Sequence, residues 1–290
     1  MTTSLLRDVL GCPGSVSGPP NLAEPVRLVL AEIASSWRNR LAGSGTPAAH
    51  HLAFHVLASG HISDQASGVC RRTRAGYSVD ITISASIPVP RLRHCLSHEL
   101  GHVLVNQCVV QGSPYGGLAS EYAAERIGWE IALAAGLRPH VDVFAGAERE
   151  DQRAWLRPLV AIVGRLRAAS PEESRHLDDG PYGRDLRWLF KAAGNMARAE
   201  AYRRGQADAG VTVEEPRLPD SLETALETLC APITEHPLPP LADASDLREF
   251  LAATAGPLNE RLADLALHVL RDLAVTNADD FIAAAPARAA

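Results

Sequence analysis

Lysine is all but missing from this 290-residue chain: Lys191 is the one exception among 28 basic residues, and the rest are arginine. That bias fits GC-rich bacterial coding and carries no chemistry of its own. Cysteine is sparse and odd in number. Cys12, Cys70, Cys95, Cys108 and Cys230 stand far apart, which argues against a disulfide framework or a cysteine-only zinc cluster and fits reduced thiols in a cytoplasm. No apolar run approaches the roughly 18 residues that a membrane span needs, so no membrane segment is expected. Arg7 and Asp8 interrupt the apolar residues after Leu5-Leu6, so no secretory leader is expected before residue 20. Val9-Leu10-Gly11-Cys12 resembles a lipoprotein cleavage box, but without a leader ahead of it Cys12 reads as a plain surface cysteine. Positive charge is not in excess either. A net charge of −6 and a pI near 6.0 give no general attraction to nucleic acid or to an anionic membrane.

The hydrophobic fraction of 46% and a mean hydropathy of −0.04 describe a globular protein, and the length allows one large domain or two small ones. One stretch carries chemistry: His98-Glu99-Leu100-Gly101-His102, inside the apolar run from Leu92 to Val110. On a helix, residues four apart stand one turn above each other, so His98 and His102 can aim both imidazoles at one ion with Glu99 beside them. This is the H-E-x-x-H pattern of zinc hydrolases. Zn²⁺ takes neutral imidazole nitrogen, and a catalytic site adds a third protein ligand and a water whose pKa falls to roughly 7. Glu99 is then the general base, taking the proton of that water and passing it to the leaving amine. Leu96, Leu100, Val103 and Leu104 supply an apolar stripe to bury the far side of the helix. Glycine inside a helix costs about 1 kcal/mol relative to alanine, so Gly101 implies a close neighbour.

The third ligand must lie downstream. Ser120 is a reasonable N-cap and Gly136 a reasonable stop for a second helix, which offers Glu121, Glu125 and Glu130. Tyr115, in a loop over the site, and Tyr122 are candidates for stabilising an oxyanion, or ordinary packing residues. His94 lies one turn before His98 and reads as a group behind the ligands or on the surface. His50, His51, His55 and His61 match no usual metal spacing and read as structural or exposed.

Taken in order, residues 11–20 read as a flexible lead-in, and Pro25 opens an amphipathic helix through Val26, Val29, Leu30, Ile33, Trp37 and Leu41 to Gly43. Short strands are expected at His51–Leu57 and Gly68–Arg72. The alternation of Tyr77, Val79, Ile81, Ile83, Ala85 and Ile87 with polar residues predicts a strand over 77–87, ended by Pro88. It is either an ordinary sheet strand or an exposed edge on which a substrate adds as a further strand. From residue 147 the pattern turns helical, over Trp155–Leu166, Leu186–Tyr202, Leu222–Leu229, Leu247–Leu251 and Leu258–Leu273, with Pro-rich breaks. Arg184–Arg204 holds six basic residues against two acidic, a solvated face or, as the lesser expectation, a nucleic-acid or acidic-partner contact.

The segment Arg91-Leu92-Arg93-His94-Cys95-Leu96-Ser97-His98-Glu99-Leu100-Gly101-His102, followed by Glu121-Tyr122-Ala123-Ala124-Glu125-Arg126-Ile127-Gly128, resembles the ImmA/IrrE-type metallo-endopeptidases. Their motif reads approximately R-x-R-f-T-l-a-H-E-l-G-H and then E-x-e-A-N-x-F-A-x-x-L-L-M-P. The resemblance puts Glu121 at the third-ligand position and Glu125 where the family has asparagine, behind the ligands on the same helix face. Cys95 replaces the usual threonine, Gly128 the alanine, and Ala134 stands where the family has proline.

The expectation is therefore an α+β protein. Residues 1–20 form the lead-in, 21–146 a zincin-like zinc peptidase half with a small sheet and the H-E-x-x-H helix, and 147–290 an all-helical half for recognition or regulation. The boundary is suggested by Ala145-Gly146-Ala147. In family terms it is a cytoplasmic zinc endopeptidase whose substrate is a particular regulatory protein, often a transcriptional repressor. The rival is a zinc-containing regulatory or protein-binding module that no longer turns over.

Overall fold

Period-2 alternation makes a strand where one face is covered, and residues 77–83 meet that condition: Tyr77, Val79, Ile81 and Ile83 are buried while Ser78, Asp80 and Thr82 are less so. A computed structural model describes residues 4–5, 7–45, 51–59, 67–108, 118–137, 201, 204, 207, 210, 228 and 230–271. Within them five strands, β1 (Ser4–Leu5), β2 (Gly14–Ser17), β3 (Leu52–Ala58), β4 (Ser67–Arg72) and β5 (Tyr77–Ile83), form one sheet in the order β1-β2-β3-β5-β4. The sheet is mixed. β2, β3 and β5 run parallel, and β1 and β4 pair antiparallel at the two ends.

β5 thus has a neighbour on each side, so it is not the open edge weighed from the sequence; among the described residues β4 is the end strand on that side. The strand also stops at Ile83, because residues 85–86 turn before the next helix begins. The N-terminal stretch read as a flexible lead-in is another correction. A four-residue helix α1 (Arg7–Leu10) leads into β2, which pairs with β3 from Gly14↔Leu52 to Ser17↔His55. Leu10, Cys12 and Val16 are buried in the core, so Cys12 is no surface cysteine. The glycines and prolines around it make turns between short paired segments rather than a loose tail.

Helix α2 (Pro20–Gly43) links β2 to β3 and lays Leu22, Val26, Val29, Leu30, Ile33 and Trp37 on the core. It begins at Pro20 rather than Pro25. Proline at the first helical position loses no hydrogen bond, and Pro25 inside the helix removes only one. α3 (Val89–Cys108) follows the sheet and α4 (Leu118–Ala132) packs along it. α4 starts two residues before Ser120, and it ends in a π-helical turn at Leu133–Leu137 where Gly136 takes φ 92°. Residues 109–117, with Tyr115, lie outside the described residues, as do 138–200 with the proposed boundary.

α5 (Ala244–Arg271) runs unbroken through Pro257, where two helices were expected. Its Leu247, Phe250, Leu251, Ala255 and Leu258 belong to the same hydrophobic core as the sheet, α2, α3 and α4. Backbone ties join it to the N-terminal half: Ala244 N–H donates to Ser44 O at 2.9 Å, and Leu241 N–H to Glu130 Oε1 at 2.8 Å. The described part of 147–290 therefore shares a core with the half expected to stand apart. Among the described residues, Leu247, Leu251 and Leu258 lie in the core shared with α3 and α4.

Candidate metal centre

Two helices that cross at glycines can bring their backbones closer than side chains normally allow. Gly101 of α3 faces the Ala124 backbone, where a Cβ would lie within 3.0 Å of the Ala124 Cα. Gly128 of α4 faces α3 in return, where a Cβ would stand 2.7 Å from the His98 Cα. This close crossing sets His98 and His102 opposite Glu121 and Glu125, each pair one helical turn apart.

The donor atoms of His98, His102 and Glu121 all lie within 4.8 Å of one another. His102 Nε2 is 3.4 Å from Glu121 Oε1 and His98 Nε2 is 3.6 Å from Glu121 Oε2, with the two imidazoles at right angles and their centroids 4.6 Å apart. Donors about 2.0–2.1 Å from a tetrahedral zinc stand about 3.4 Å from each other, a spacing that the two histidine–Glu121 distances match. The side chains open progressively to solvent, from 5% exposed at His98 to 14% at His102 and 35% at Glu121, which leaves one side for a water or a substrate. Desolvation pulls the Glu121 carboxyl up, but the His102 and His98 imidazoles outweigh it and hold the group well below the usual carboxylate range.

Glu125 does not join the convergence. Its Oε1 is hydrogen-bonded to His94 Nε2 at 2.5 Å, and its Oε2 makes a 2.7 Å ion-pair contact with His98 Nδ1 whose angles fall short of a hydrogen bond's. Burial raises the Glu125 carboxyl, and His94 and then His98 reverse this and leave it well below the ordinary value. A carboxylate only accepts, so a His98 proton on Nδ1 would face Glu125 and would leave the Nε2 lone pair for an ion held with Glu121 and His102. Glu130, the remaining downstream carboxylate, is elsewhere. One oxygen pairs with Arg40 Nε at 2.9 Å and the other takes the Leu241 N–H.

Glu99 is buried beside the ligands, under β4. Gly68 of that strand sits so close that a Cβ there would overlap the Glu99 carboxylate and lie 2.6 Å from its Cγ. Two residues on, burial pushes the Cys70 thiol up to about 12; Glu99 adds to the rise, and Asn106, 3.9 Å from the sulfur, opposes it. Cys70 is not among the residues whose donor atoms converge with those of His98, His102 and Glu121. Tyr122 is fully buried with its ring stacked on Phe250 at 5.3 Å, which places the ring in the α4–α5 packing. Of the early histidines, His55 is exposed with Nδ1 2.9 Å from Ser17 Oγ, and His50 and His61 lie outside the described residues.

Sequence reasoning missed Gly68, which meets Glu99 only through the sheet, and underrated His94, although 94, 98 and 102 repeat at helical spacing. No protein-family model, curated protein or solved structure matches the chain.

Proposed function

We propose that the protein is a zinc-dependent endopeptidase of the ImmA/IrrE type, with a zincin-like catalytic half, and that it cuts a specific regulatory protein such as a transcriptional repressor. The observation that carries this reading is the convergence of His98, His102 and Glu121 with Glu99 buried next to them. His98, His102 and Glu121 would hold the ion, which when bound would supply an acidified water and polarise a carbonyl. Glu99 accepts the proton of the attacking water and returns it to the nitrogen of the departing amine. A peptide added beside β4, an end strand of the sheet among the described residues, would cross over Gly68 and bring its backbone to Glu99. No helix among the described residues is long and apolar enough to cross a membrane, and the free cysteines suit a reducing cytoplasm, where the protein is placed in this proposal.

The test uses the zinc-loaded protein with the products of the genes beside its own, reading new termini by mass spectrometry. One discrete cut that disappears in Glu99→Gln is expected. Zinc-loaded wild type that cuts none of these proteins, nor an unfolded general substrate, would favour the rival, a zinc-containing binding module without turnover.

A further inference from the structure

The positions that depart from the ImmA/IrrE-type motif include two that touch each other. Where the motif has an aromatic position and an asparagine, this chain has His94 and Glu125, joined at 2.5 Å. Asparagine is neutral and can sit behind a metal ligand without a counter-group. A buried carboxylate cannot: its side chain is 2% exposed, and an oxygen left unmatched there keeps the full cost of its lost hydration. His98 meets one oxygen and His94 the other. His94 is itself fixed, 7% exposed and set at 60° against the Trp129 ring with centroids 5.6 Å apart. The chain Trp129–His94–Glu125–His98 therefore runs from the core to a metal-facing imidazole.

We propose that His94 is a positioning residue for the metal site: by donating Nε2–H to Glu125 it fixes that carboxylate against His98 Nδ1, and so holds His98 Nε2 toward His102 and Glu121. This rests on the zinc reading above. Partners behind metal ligands typically account for about 10–100-fold in metal affinity. In this chain that role needs His94 and Glu125 together, because the carboxylate is only tolerated when both of its oxygens are met.

The test is zinc affinity of the full chain by chelator competition, with the visible absorption of the Co²⁺-substituted protein as a second readout, neither requiring a substrate. His94→Phe should weaken zinc by about 10–100-fold and shift the Co²⁺ bands. The pair His94→Phe/Glu125→Asn, which removes the histidine and the charge together, should recover most of the affinity and return the bands toward wild type. A His94→Phe protein with wild-type affinity and bands would overturn the proposal, as would a folded double variant that binds no better than the single one. If His94→Phe does not fold, the double variant decides: near wild-type affinity supports the coupling, and weak binding by the folded protein rejects it. Failure of the wild type itself to bind zinc would sink the zinc reading, and this proposal with it. That outcome is told apart because it arises in the unmutated protein.

Discussion

Gly128 of α4 lies directly against the backbone of His98 on α3, with room for a hydrogen but not for a methyl group: a Cβ at 128 would stand 2.7 Å from the His98 Cα and 2.8 Å from its nitrogen. The helix that carries His98 and His102 is thus located by a residue that has no chemistry. Helix propensity alone says that Gly128→Ala should stabilise the protein by about 1 kcal/mol. The close approach says the opposite, since overpacking of this kind costs about 1–3 kcal/mol. The expected outcome is net destabilisation in denaturant unfolding together with weaker zinc binding. A more stable Gly128→Ala with unchanged zinc would mean that the crossing is looser than described.

The carboxylates are proposed to divide by role, and metal content would separate them without a substrate. Glu121→Ala should lose tight zinc binding, because its oxygens are 3.4 and 3.6 Å from the two imidazole nitrogens. Glu99→Gln should keep zinc while cleavage falls by about 10²–10⁴-fold, the usual share of a general base. Gly68→Ala should resemble Glu99→Gln, with zinc retained and activity lost, because its methyl displaces the Glu99 carboxylate. A Glu121→Ala protein with wild-type zinc affinity would remove Glu121 from the ligand set.

Ser97 is fully buried between the motif's Leu96 and His98, and its hydroxyl has no hydrogen-bond partner among the described residues. A buried unsatisfied hydroxyl is costly, and alanine is the better helix former. Ser97→Ala should therefore raise the unfolding free energy by about 1 kcal/mol, measured by urea titration, with zinc affinity unchanged. Destabilisation would reveal a partner for the hydroxyl that the described residues do not supply.

Much of this was legible in the sequence, for reasons that can be named. His98, Glu99 and His102 share one helix, and helical spacing alone puts them on adjacent faces. The burial of Leu96, Leu100, Val103 and Leu104 followed from the same period, and the alternation at 77–83 announced β5. What could not be read are contacts between distant segments: Gly68 of β4 meeting Glu99, and β4 rather than β5 standing at the end of the sheet among the described residues. The residues around Cys12 misled because glycine and proline mark turns and loose tails alike. Likewise, the amphipathic pattern of α5 shows that one face is buried without saying against what.

Phe250 tests that last point. Its ring stacks on Tyr122, which neighbours Glu121 in sequence, so α5 should unfold together with α3 and α4. Phe250→Ala should cost about 3–5 kcal/mol and keep a single transition, with zinc release and loss of helical signal coinciding. Two separate transitions, with zinc held through the first, would restore the view of a C-terminal unit that stands apart.

The central claim is that His98, His102 and Glu121 together hold one zinc ion, and X-ray absorption at the zinc edge tests it most directly. The protein purified with stoichiometric zinc should show two imidazole nitrogens at about 2.0–2.1 Å, the remaining ligands oxygen, and no sulfur. His102→Ala should abolish that site. A sulfur shell at about 2.3 Å, or full zinc content in His102→Ala, would contradict the account and move the metal to another part of the chain.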